Sequence, residues 1–172
     1  MKYNVLPIVL ILFISCCSKK VSITEPMNYS IESNCPEDGT CTITIYPNEK
    51  LEILTDETGA IYYKKIADIN STVFHFQYNR TVEEGIQDGQ YQEEVIFEYS
   101  NENLPLNLTD LSLEKTKMLF GRHCFCKGQA GYFRVNFGNL NLSQTKGKTT
   151  MNLQFKVPEV PQIITEIQGN WK

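Results

Sequence analysis

Histidine and tryptophan are scarce in this chain of 172 residues: His75 and His123 are its two histidines, and Trp171 is its single tryptophan. Nucleophilic catalysis needs a base within hydrogen-bond reach, most often histidine. His123 precedes Cys124, and adjacent residues of a strand face opposite ways, so the two form no direct dyad. His75 alternates with Phe74, Phe76 and Tyr78 and is expected to face solvent. The chain also lacks a Gly-x-Ser-x-Gly elbow, a glycine-rich phosphate loop and a His-Glu-x-x-His helix. Basic residues are in deficit, with 16 Lys and Arg against 20 Asp and Glu and a net charge of −4. That balance gives no footprint for a nucleic-acid backbone. Long apolar runs are missing too: the ten residues from Val5 to Ile14 are the longest and cover about half a bilayer core at helical rise.

What is present is ordinary globular chemistry, 41% hydrophobic and 21% charged, in a length that suits one domain. Short period-two segments rich in β-branched and aromatic residues recur along it. Cys41–Tyr46 alternates strictly before the turn signal Pro47-Asn48-Glu49, and Leu51–Ile53 continues until Asp56-Glu57-Thr58-Gly59. Ile61–Tyr63, Val73–Tyr78, Val95–Tyr99, Phe133–Phe137, Met151–Val157 and Ile163–Ile167 follow. The pattern predicts an all-β fold, an antiparallel β-sandwich first and a partly closed β-barrel second. At most one short helix fits, over Leu111–Met118, with Thr109 or Asp110 as its N-cap.

Paired carboxylates occur at Glu83-Glu84 and Glu93-Glu94. Neighbours on one strand diverge, and nothing in the sequence points to desolvation of either, so no acid–base pair is implied. The loop from Glu83 to Gly89 carries oxygen ligands without the ordered spacing of a calcium loop, and it reads as a solvated turn. No catalytic residue, cofactor or resident metal is implied.

Of six cysteines, Cys35, Cys41, Cys124 and Cys126 fall in the β-rich region and are disulfide candidates. The turn residues Pro36 to Gly39 could close a local Cys35–Cys41 bridge. Parallel side chains two apart on a strand meet poorly, which disfavours Cys124–Cys126 and favours two crosslinks between the segments. A soft-metal reading through Cys124 and Cys126, with His123 and Met118 nearby, is the sharper alternative, although the spacing is not that of a zinc knuckle. Five Asn-x-Ser/Thr triplets begin at Asn28, Asn70, Asn79, Asn107 and Asn141. In an asparagine-rich chain they follow from composition.

The N-terminus has a short positive start, an apolar run and a small residue before cysteine, the pattern of an export signal. Phe13-Ile14-Ser15-Cys16 resembles the lipobox of bacterial lipoprotein precursors, with Phe13 where leucine is commonest and Ile14 where a smaller residue is commoner. The resemblance implies that Cys16 receives a diacylglycerol, that residues 1–15 are cleaved, and that the new amine is acylated. Cys17 is the second choice for lipidation. Two or three acyl chains anchor a protein stably, whereas one is marginal. Cleavage leaves 157 residues, and loss of Lys2 takes the charge to −5. The organisation expected is a signal peptide at 1–15, a lipidated tether at 16–27 and a single β-rich domain at 28–172. The chain is also similar in texture to small Bacteroidota-type lipoproteins.

These readings imply an exported protein held in the bacterial cell envelope by its lipid, with the outer membrane the first expectation. Its domain would serve binding or envelope structure, meeting a protein or glycan through residues such as Tyr62-Tyr63 or Tyr91. An inhibitor or partner of a periplasmic or extracellular enzyme is the alternative, with a disulfide-based loop as its tool.

Overall fold

A computed structural model describes residues 25–30 and 34–172. The expected signal peptide, Cys16 and Cys17 lie outside the described residues. The chain folds into β1 (Met27–Ser30), β2 (Gly39–Thr55), β3 (Ile61–Arg80), β4 (Tyr91–Ser100) and β5 (Leu106–Thr109). A 3-10 helix (Asp110–Thr116) precedes β6 (Leu119–Cys124), β7 (Gly131–Arg134), β8 (Phe137–Thr145), β9 (Lys148–Lys156) and β10 (Glu166–Trp171). One sheet has the order β1-β2-β3-β4-β6-β7 and the other β10-β9-β8-β5. The pairings are antiparallel, so the fold is an all-β sandwich, as the alternation predicts.

The main core lies between the sheets. Phe74 and Phe97 stack at 4.8 Å between ring centroids, and Trp171 of β10 reaches within 5.5 Å of Phe74. Leu140, Leu142, Met151, Leu153 and Ile167 close the opposite side, all buried. Each such side chain contributes about 1.5–3 kcal/mol of burial. In β9 the alternation is complete: exposed and buried residues succeed each other from Lys148 to Lys156.

Several boundaries differ from expectation for a common reason. Pro47-Asn48-Glu49 does not turn the chain but forms a bulge: β2 advances from Pro47 to Glu49 while its partner β3 advances from Thr72 back to Ala67. Such an irregularity bends a strand without ending it. The β2–β3 hairpin, closed where Asp56 Oδ1 accepts from the Thr58 and Ala60 amides at 2.8 and 2.9 Å, therefore folds back across the outer face of the larger sheet. On one side Ile61 pairs with Tyr132 of β7, which partly rings the sheet. On the other, the Leu51 amide donates to Glu98, and Lys117 Nζ donates to Leu51 O at 2.7 Å. Beneath it lies a second core of Leu51, Val73, Ile96 and Leu119, flanked by Tyr63 and Tyr132. Phe133–Phe137 is divided between β7 and β8, and the helix is a 3-10 turn with Thr109 as N-cap, its amide donating to Ser112 Oγ at 2.6 Å. Met27, assigned to the tether, already pairs with Ile45.

Candidate functional site

Glu93 and Glu94 diverge from β4, as strand neighbours must. Yet both are buried, at 0% and 4% exposure, which overturns the expectation that neither is desolvated. Glu93 points into the sandwich, where it accepts the Ile163 and Ile164 amides, each at 2.7 Å, and the Tyr91 hydroxyl. It fastens the segment before β10 to the larger sheet. Glu94 points the other way, into the second core.

There Glu94 is the hub of a polar cluster. His75 bonds one carboxylate oxygen through Nε2, while His123 Nε2 lies 2.7 Å from the other, which also accepts the Tyr132 hydroxyl. His75 is only 8% exposed, so it does not face solvent as expected. The cause is the returning hairpin, whose Leu51 packs on Val73 and Ile96 beside His75, while Tyr46, on β2 before the bulge, stands with its ring centroid 6.4 Å from the imidazole. Tyr132 stands edge-on to both His123 and Tyr63, each at 5.3 Å. Gly121 makes the room: a Cβ there would sit 2.6 Å from Glu94 Cγ and 2.8 Å from Tyr132 Cε1.

Burial by itself would raise the Glu94 carboxyl, but the hydrogen bonds from His123, His75 and Tyr132 outweigh it and hold the group well below the usual carboxylate range. Burial, reinforced by the bond to Glu94, pushes the Tyr132 phenol far above its ordinary value. Burial and then the Glu94 charge raise Tyr63 to about 12. The carboxylate is thus fixed in its ionised form, with donors from β3, β6 and β7 converging on β4. The two imidazoles bond different oxygens, so the carboxylate separates them. Among the described residues, no group of three or more His, Cys, Asp or Glu side chains is arranged to hold a metal ion. This is the chemistry of a cross-strand clamp.

His123 also belongs to a second feature. Its ring helps line an open groove of about 420 Å³ at the end of the larger sheet, with Arg80, Asp88, Gln90, Tyr91 and Phe125. The Arg80 guanidinium lies 4.5 Å from the Tyr91 ring centroid, and Arg122, 5.3 Å from the same centroid, donates from Nε to the Tyr91 hydroxyl at 3.2 Å. Arg122 is buried and donates to Gln129 O at 3.1 Å, while Arg80 pairs with Asp38 at 3.1 Å. Phe125 stands 86% exposed at the rim. The groove is lined mostly by polar side chains, among them Asn79, Arg80, Gln90, Gln92 and His123, with Tyr91 and Phe125 as its aromatic contacts, so it suits a polar ligand better than an apolar one.

The structure bonds Cys35 to Cys41 and Cys124 to Cys126. It thus replaces the favoured crosslinks between segments with two local bridges. The argument from strand geometry fails at Cys124 because β6 ends there: Phe125 is already in a bend, so the two side chains need not stay parallel. Joined to one another, Cys124 and Cys126 offer no thiolate pair to a soft metal. Of the aromatic contacts expected, Tyr91 lines the groove, Tyr62 is exposed and Tyr63 is half-buried against Tyr132. Residues 83–88 of that loop are exposed and Gly89 is partly covered, as in a solvated turn.

Comparison of the chain with family models, curated proteins and solved structures finds no match. The functional argument therefore rests on residues and geometry.

Proposed function

We propose that this chain is an exported, lipid-anchored binding protein of the bacterial envelope, whose β-sandwich holds a ligand in the groove bounded by Tyr91, His123 and Phe125. The single observation that carries the binding reading is that groove: its Tyr91 ring lies beneath the Arg80 guanidinium with its hydroxyl bonded by Arg122, and its histidine is bonded to a buried carboxylate. Such pre-organisation lowers the entropy lost when a ligand is held. The leader supports the location, since Phe13-Ile14-Ser15-Cys16 carries the features of a lipobox. The two disulfides fit an oxidising compartment outside the cytoplasm.

Two measurements test the proposal. Metabolic labelling with a lipid precursor should mark the full-length protein and leave Cys16→Ala unmarked. Equal labelling of the variant would overturn the assignment of Cys16 and point to Cys17. Immobilised full-length protein should retain an envelope component that Phe125→Ala releases. Retention of the same components by both forms would remove the groove from the argument.

The enzyme-inhibitor reading keeps a specific support. Phe125 is the exposed residue between two bonded cysteines, a rigid aromatic projection of the kind that fills a partner's cleft.

A further inference from the structure

We propose that the outer face of the four-stranded sheet binds a neutral polysaccharide, independently of the groove. The register places Asn107 opposite Asn141, Asn141 opposite Asn152, and Asn152 opposite Gln168. One row of four amides thus crosses all four strands, on the face opposite the buried Leu142, Leu153 and Ile167. A parallel row to one side runs Thr109, Asn139, Gln154 and Glu166, and on the other side Ser143, Thr150 and Asn170 stand in register. Apart from the partly covered Glu166, these side chains are all exposed.

The composition of this face is unusual. Surfaces designed for solubility carry about 25–35% charged residues; here the three central rows hold Glu166 as their one charge, with Lys148 and Lys156 on the same face at the margins. One carboxylate and two lysines at the margins make no field of one sign that would match a nucleic acid or an acidic polymer. A protein partner would look for a central aromatic or arginine anchor, which the rows do not supply. Sugar hydroxyls each donate and accept, and so does an amide, without the desolvation cost of a charged group. The face is complementary to a neutral, hydroxyl-rich ligand in both hydrogen bonding and charge.

Two further features favour a polymer. Amides recur at about 4.8 Å across strands and about 6.8 Å along them, on a backbone fixed by the core beneath, so several contacts can act together. Phe137 lies on the same side of β8 as Asn139 and Asn141 and is 52% exposed, an apolar platform at one end of the rows for the C–H face of a sugar ring. Asn141 Nδ2 already donates to Asn139 Oδ1 at 2.9 Å, which orients the second amide row beside the first.

Native affinity electrophoresis of the full-length protein in detergent tests this, with amylose, a β-glucan or a galactomannan in the gel and pectin as the acidic counterpart. At least one neutral polymer should retard the protein, and pectin should not. Asn141→Asp with Asn152→Asp should weaken retardation at least about tenfold, the equivalent of about 1.4 kcal/mol. Because adjacent aspartates repel and could disturb the sheet, Asn152→Ala alone carries the same expectation at about threefold, one modest net hydrogen bond. Phe137→Ala should weaken it and Phe125→Ala should not. No retardation in any neutral polymer, retardation by pectin alone, or equal retardation of all face variants would overturn the proposal. Loss with Phe125→Ala instead would move the sugar to the groove, leaving the binding reading intact and this inference refuted.

Discussion

Replacing Glu94 with alanine is expected to be among the most damaging single changes in the domain. The carboxylate accepts from His75, His123 and Tyr132, and with 4% exposure it shares them with almost no water. Removing one side of a buried charged network costs about 3–5 kcal/mol; here His75 stays buried and Tyr132 largely covered without a partner, while His123, on the open groove, can turn to water. Leaving even two donors unsatisfied, at about 1–3 kcal/mol each, reaches the same range. A domain of this size loses about 2–4 °C in Tm per kcal/mol, so differential scanning calorimetry at neutral pH should record a fall of about 6–20 °C. Glu84→Ala, on the exposed loop, should stay within about 0.5 kcal/mol of the parent. A fall below about 3 °C for Glu94→Ala would refute the clamp.

The pH dependence sharpens the test. Since Glu94 is held below its unfolded value of 4.5, its stabilisation is complete above that pH and is lost as pH falls beneath it. The loss runs at about 1.4 kcal/mol per pH unit, so about 2 kcal/mol should disappear between neutrality and pH 3. His75, His123, Tyr132 and Tyr63 are the titratable groups facing it. Glu94→Gln retains the shape but turns one acceptor into a donor aimed at a donor, and removes the titration. The stability gap between parent and Glu94→Gln should therefore narrow on acidification. An equal gap at pH 3 and pH 7 would show that Glu94 is not held ionised by its partners.

Gly121→Ala should destabilise by about 1–3 kcal/mol, since a methyl 2.6 Å from Glu94 Cγ forces overpacking of the hub. A Tm unchanged within 1–2 °C, about half a kcal/mol in a domain of this size, would show that the cluster can shift freely. Peptide mapping of the unreduced protein should find Cys35 joined to Cys41 and Cys124 joined to Cys126, and a peptide linking the two segments would refute both local bridges. Cys35→Ser with Cys41→Ser should cost about 2 kcal/mol on the chain-entropy account of a short loop, measured by urea unfolding.

The sandwich was legible because β8, β9 and β10 obey a one-sided rule, with one face in the core and one in water. The clamp was not, because β3 and β4 break that rule. Reading His75 as solvent-facing assumes that the face opposite Phe74 and Phe76 is wet, and the returning hairpin covers it. A signal was present: Val73 and Ile96 put large apolar residues on the supposed outer face, beside His75 and Glu94, and apolar residues of both parities mark a strand buried on both sides. The bulge that permits the covering involves Pro47 and Asn48, residues whose chemistry also suits a turn. Local sequence does not separate a turn, which ends a strand, from a bulge, which bends it, until the partner strand is known. Pairing of Ile61 with Tyr132 joins residues far apart in the chain and leaves no local trace.

The same two-residue period accounts for the Asn-x-Ser/Thr triplets of the four-stranded sheet, whereas Thr72 after Asn70 is buried and Thr81 after Asn79 lies past the end of β3. All five asparagines lie on strands and are exposed. Positions i and i+2 share a face, so a strand whose outward residues are uncharged and polar will generate this triplet without any requirement for glycosylation. Asn107–Thr109 and Asn141–Ser143 are the two cases on the amide-bearing sheet, and they sit in neighbouring strands with the asparagines directly opposed. An asparagine-rich composition accounts for the triplets being present but not for their alignment across strands, nor for the continuation of that row through Asn152 and Gln168. What distinguishes this face from a merely solvated one is therefore the choice of neutral amides where lysine and glutamate would solvate equally well. That choice is the property the Asn152→Ala and Asn→Asp variants change, while the core beneath them stays untouched.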